Sequence, residues 1–160
     1  MKRSIHLYST SVSVSRTASE ISTLLAEARA TAILSEYGPP DHPGEAGIII
    51  AISFRIRTEF GVLTFRLPAN VDGVFAVLQR SRSIPPRLRS RDQAARVAWR
   101  ITLNWLEAQL AMVQAGLVGL EEVFLPYCQD PAGVTLYERM RQAKFSGLLL
   151  AEGRSQIPEC

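Results

Sequence analysis

Cysteine and histidine are almost missing from these 160 residues, with two of each: Cys128 and Cys160, His6 and His42. None stands near another at metal-ligand spacing, which excludes a zinc ribbon, and two cysteines make no disulfide framework. Lysine is equally scarce. Of 18 basic residues only Lys2 and Lys144 are lysines, so arginine carries the positive charge, and its planar fork suits bidentate contacts to phosphate. A GC-rich genome, which favours arginine codons, produces the same bias. Long apolar runs are lacking too. The most apolar twenty-residue window, 101–120, contains Asn104, Glu107, Gln109 and Gln114 and is no membrane span. The first residues, Met1 to Tyr8, hold no signal-peptide core. A cytoplasmic protein with no membrane contact is the expectation.

Catalytic signatures are absent as well: no G-x-S-x-G, no GxxxxGK[ST], no H-E-x-x-H and no CxxC occurs. Asp41 beside His42 has the chemistry of a base with its orienting carboxylate. Neighbouring residues on a proline loop seldom reach that geometry. Glu121 and Glu122 read as acids at a helix start, where the dipole favours them, rather than as metal ligands. No catalytic residue, no metal and no cofactor is expected, and the chain reads as a non-enzyme.

What is present is a globular composition, 47% hydrophobic and 21% charged, and one concentration of charge. Between Arg80 and Arg100 stand seven arginines and a single acid, Asp92, whereas the whole chain is formally only +3. The remainder is therefore net acidic, and a basic segment on an acidic body points to an anionic partner.

Periodicity predicts one α+β domain over residues 1–150 and a flexible tail over 151–160. Residues 8–14 alternate as a strand, and Thr17-Ala18-Ser19-Glu20 forms a capping box opening a helix with Ile21, Leu24, Leu25 and Ala28 on one face. A short strand follows over 31–37, then the loop 38–44 with three prolines and two glycines. Residues 47–58 form the strongest strand, with Ile48, Ile50, Ile52, Phe54 and Ile56 on its core face. A turn at 58–61 returns the chain through 62–68. Pairing across that turn sets Arg57 opposite Val62, Arg55 opposite Thr64 and Ser53 opposite Arg66. Asn70 caps a helix over 71–78, Ser81 to Ser90 form an arginine-rich loop, and a long helix runs from 91 to 114. Short helices follow near 120–127 and 133–144. The expected architecture is thus a single four-stranded antiparallel sheet, in the order β-α-β-β-β-α, backed by the long apolar helix and short C-terminal helices. That helix is apolar over far more than one stripe, and it carries Trp99 and Trp105, so a homo-oligomer, foremost a dimer, is expected.

Ten arginines make up the candidate nucleic-acid or anion-binding surface. Arg55, Arg57 and Arg66 lie on the non-core sheet face. Arg80, Arg82, Arg87, Arg89 and Arg91 form a flexible arm beside a helix N-terminus, and Arg96 and Arg100 lie on the long helix. Aromatics that would stack bases are scarce nearby, and no recognition-helix pattern occurs, so low sequence specificity is expected.

The motifs Phe65-Arg66-Leu67-Pro68, Gln93-Ala94-Ala95-Arg96-Val97-Ala98-Trp99-Arg100 with Trp105-Leu106-Glu107-Ala108-Gln109-Leu110-Ala111, and Val123-Phe124-Leu125-Pro126-Tyr127 with Gly133-x-Thr135-Leu136-Tyr137 look like those of a family of small uncharacterised bacteriophage and prophage proteins. The resemblance spans about residues 8–145. It implies a phage-type accessory protein, in a bacterial host cell, acting on nucleic acid or host machinery. Two other readings stand beside it. One is an anti-defence binder that sequesters an anionic nucleotide signal or occludes a host protein; the other is a structural assembly subunit.

Overall fold

A computed structural model describes residues 4–40, 43–44 and 46–150. The chain is α+β. Its helix α1 (Val14–Glu27) is followed by β1 (Ala30–Tyr37), β2 (Ile49–Thr58) and β3 (Gly61–Pro68), then α2 (Val71–Arg80), α3 (Arg91–Gln114), α4 (Leu120–Phe124) and α5 (Leu136–Gln142). The three strands form one antiparallel sheet in the order β1-β2-β3.

The expected first strand over 8–14 does not form, so the sheet has three strands rather than four. Serine and threonine in that stretch bond locally instead of extending. Thr10 Oγ1 accepts from Val12 N–H, and Ser13 Oγ accepts from Arg16 N–H as the N-cap of α1. The buried Gln93 side chain then ties the segment down, its Nε2 donating to the carbonyls of Tyr8 and Thr10 at 2.8 and 2.9 Å. Thr17, expected as the cap, lies a full turn inside the helix and is fully buried.

The β2–β3 register is as the turn length predicts: Arg57 faces Val62, Arg55 faces Thr64 and Ser53 faces Arg66. The alternation along β2 fails at one point. A register shift between Glu36 and Tyr37 on β1 turns Ile49 into the core and leaves Ile50 39% exposed, reversing the expected assignment of these two residues.

Two apolar clusters share α3. Ile52, Phe54, Ile56, Phe65 and Leu67 of the sheet pack with Ile21 and Leu25 of α1, Phe124 of α4 and Trp99, Leu103 and Leu106 of α3. Val71 and Leu78 of α2, with Ile84, pack on Ala94, Ala95 and Ala98 of α3. The apolar surface of α3 from Ala94 to Leu106 is therefore used within one chain, by the sheet and α1 on one side and α2 on another, whereas Met112 near the helix end is 37% exposed. Trp99 is fully buried and donates from Nε1 to the Ile49 carbonyl at 2.8 Å; half-buried Trp105 meets Phe124 and Tyr127 edge-on. Both tryptophans serve packing.

Beyond β3, Cys128 bridges to Phe65, and Gln129 N–H donates to Thr64 O at 2.8 Å, so the β3 edge is covered at Thr64 and Phe65. Thr135 and Glu138 form a reciprocal cap on α5. No helix among the described residues is long and apolar enough to cross a membrane.

Candidate nucleic-acid interface

The ten candidate arginines do not gather into one surface. Eight residues of strand separate Ile49, over which the N-terminal half of α3 hangs through Trp99, from Arg57, a span of about 26 Å at ~3.3 Å per residue. Arg55 and Arg57 are exposed at that far end, on the face turned away from α3. The remaining loop and helix arginines belong to the α2–α3 side.

Four of the ten are matched by carboxylates. Arg66 holds Glu36 through Nε and Nη2 at 2.9–3.1 Å, and Ser53 Oγ donates to the same carboxylate at 2.7 Å. Those bonds from Arg66, and then the one from Ser53, hold the Glu36 carboxyl below the usual range despite its partial burial. Arg100 pairs with Glu20 at 2.6 Å, Arg96 with Asp92 at 2.9 Å and Arg91 with Asp72 at 2.9 Å, where Arg91 also lies over the Phe75 ring. The sheet face is thus less open than its Ser/Arg composition suggests. Ser53 and Ala51 are buried on it, and the Glu36–Arg66 pair closes over the middle.

The α2–α3 loop is the exception. No acid stands between Asp72 and Asp92, and that interval holds Arg80, Arg82, Arg87, Arg89 and Arg91. Arg80, Arg82 and Arg87 are exposed, and none lies within ion-pair distance of a carboxylate among the described residues. Arg80 donates from Nε to Ala76 O one turn back, which aims the guanidinium along α2.

This loop is folded, not the flexible arm expected. Ile84 is buried at its centre, and Pro86–Leu88 forms a single 3-10 turn. Arg89 donates from Nε and Nη2 to Ile84 O at 2.9 and 2.6 Å, and Gln79 Nε2 reaches Arg89 O at 2.7 Å. Arg89 therefore spends its fork on the loop's own backbone while leaving its charge in place. The N-terminus of α3 is likewise engaged, since Ser90 Oγ caps it at Gln93 N–H and Asp92 sits in its first turn. At the helix end where a phosphate contact is expected, the Ser90 hydroxyl thus already holds the Gln93 donor.

Reasoning from composition missed the acids that disarm the candidate set, Glu20 and Glu36, because they lie 80 and 30 residues from their arginines. Asp130, held below its usual range by the backbone bond from Val134, pairs with Arg139, and Glu138 is held below its own range by the backbone bond from Thr135. Asp41, His42, Glu45 and Cys160 lie outside the described residues. Among those described, no three of His, Cys, Asp and Glu are grouped to hold a metal ion. No family model matches this chain, and neither the curated proteins nor the solved structures contain a significant match.

Proposed function

We propose that the protein is a non-enzymatic, phage-type accessory protein that binds nucleic acid with low sequence specificity, through phosphate contacts from the α2–α3 loop. One observation supports the reading: three exposed guanidiniums, at the end of α2 and on the folded loop that follows, have no carboxylate within ion-pair distance among the described residues. A backbone already folded loses little conformational freedom when phosphates arrive, which favours affinity. Phosphate contacts without base contacts position a duplex or single strand and read no sequence.

Arg80, Arg82 and Arg87, with the charge of Arg89, amount to about four neutralised phosphates, and log K then falls with log salt at a slope of about −3.5 on duplex. Fluorescence anisotropy with a labelled duplex and a labelled single strand tests this. Affinity should drop by about two orders of magnitude between roughly 50 and 200 mM salt. The double change Arg82→Ala/Arg87→Ala should lower the slope by about two, and Arg55→Ala/Arg57→Ala should leave it in place. Absence of binding to either strand form at about 50 mM salt removes the reading.

A further inference from the structure

We infer that the leucine run Leu148–Leu150 of one chain seats in the apolar groove between α1 and α3 of a second copy, and that two copies exchange this contact. The groove lies beside the C-terminal ends of both helices. It is a cavity of about 400 Å³ whose apolar walls include Leu24, Ala28, Leu110 and Leu120. Leu24, Leu110 and Leu120 are only partly buried against the core, so part of their apolar surface is left to the groove. Two carboxylates, Glu27 and Glu107, line it as well. Both are exposed, and neither takes part in an ion pair among the described residues.

The same chain carries a segment of the complementary kind. Leu148, Leu149 and Leu150 are 70%, 71% and 94% exposed, three adjacent leucines with little cover of their own. A contiguous apolar patch of this sort marks an interaction site more than scattered surface leucines do. The turn before them is folded. Phe145 N–H donates to Met140 O at 2.8 Å, Leu148 N–H donates to Phe145 O at 3.0 Å, and the Phe145 ring lies against Tyr137 of α5. Among the described residues none beyond Leu120 lines the groove, so the leucines do not fill it within their own chain.

Charge selects a second copy over an arbitrary apolar peptide. Arg141 and Lys144 stand seven and four positions before Leu148, are exposed, and meet no carboxylate among the described residues. The groove thus offers two unpaired acids beside an apolar floor, and the segment brings two unpaired bases beside an apolar run. Opposite charges at the margins of an apolar contact fix its register and steer its formation. Each copy holds both halves, so a mutual exchange makes the contact twice. The arginine loop takes no part, and this interface stands or falls apart from nucleic-acid binding.

Light scattering coupled to size exclusion tests it, at about 100 μM protein to populate a micromolar dimer. The full chain should elute at twice 17.7 kDa. Ala111→Lys, at an exposed position of α3 that lines the groove, should return a single-chain mass with an unchanged circular dichroism spectrum, and so should Leu149→Lys. Glu27→Lys/Glu107→Lys should weaken the dimer by about tenfold, and adding Arg141→Glu/Lys144→Glu to that chain should restore it, since both sides are then reversed. A single-chain mass for the unaltered protein overturns the proposal and leaves the groove to a segment of another protein. A dimer that survives Ala111→Lys and Leu149→Lys places the contact elsewhere and overturns it equally. A fourfold reversal that stays a single chain shows that these charges do not meet, and overturns the assignment of the leucine segment to this groove.

Discussion

Replacing Trp99 by phenylalanine should be among the most damaging single aromatic changes in the chain, and the structure says how much. The indole is fully buried between α3 and the sheet, so the smaller ring leaves a void together with a lost transfer term, about 1–2 kcal/mol. Its Nε1 is also the donor to the Ile49 carbonyl, at the point where the β1–β2 register shifts. Phenylalanine has no donor to offer. A buried carbonyl left without a partner costs a further ~1–3 kcal/mol. The sum is about 3 kcal/mol, which for a domain of this size lowers Tm by about 6–12 °C. Trp105→Phe removes no hydrogen bond and only half-buried surface, and should cost about 1 kcal/mol or less. Thermal melts followed by circular dichroism compare the two directly. If Trp99→Phe shifts Tm no more than Trp105→Phe does, the carbonyl at Ile49 is not dependent on the indole and the packing account of α3 is wrong.

Three further outcomes follow from single groups. Thr17 Oγ1 is buried with no hydrogen-bond partner among the described residues, so Thr17→Val should stabilise by about 1 kcal/mol, and urea melts would show a raised midpoint at constant m. Ser13→Ala should have the opposite sign, about 1 kcal/mol lost, because Ser13 and not Thr17 caps α1. Glu36 is held below the ordinary carboxylate range by Arg66, so its contribution is complete above the unfolded value of about 4.3 and is lost as pH falls from there toward the folded value. Tm measured against pH should accordingly fall less steeply below about pH 4.3 in Glu36→Gln than in the unaltered protein, from a lower starting point. An identical acid limb in both would show that the Glu36–Arg66 pair does not contribute to folding.

Local signals carried most of the fold. The cap at Asn70, the bounds of α3 at Arg91 and Gln114 and the hairpin register all rest on neighbours a few residues apart, and the structure agrees with each. Residues 8–14 misled because serine alternating with apolar residues has the period of a strand, while the same hydroxyls can satisfy caps and turns. What decided between the two was Gln93, 83 and 85 residues away, through bonds to Thr10 and Tyr8 that no local pattern contains. The candidate site was legible in the same measure. That the arginines cluster between 80 and 91 is a fact of sequence. Which of them keep a free charge is a fact of tertiary contact.

Three sheltered arginines are paired: the side chains of Arg66 and Arg100 are each 23% exposed and that of Arg96 is 32% exposed, and each meets a carboxylate, as do the more exposed Arg91, Arg16 and Arg139. Removing a guanidinium from water is costly unless an opposite charge accompanies it, so packed faces acquire acids. On the loop no such cost applies, because Arg80, Arg82 and Arg87 remain in water. Folding therefore explains Glu36 and Glu20 but gives no reason for four arginines in the ten positions from 80 to 89, nor for the lack of any acid among them. Codon bias would raise arginine throughout the chain without clearing the acids from one surface loop. Mutual repulsion of four like charges opposes the folded loop, and Arg89 holds it closed regardless by spending its donors on Ile84 O. A loop that keeps its shape against its own charge is suited to an anion that relieves that charge, and the salt slope of the proposed binding would count the phosphates that do so.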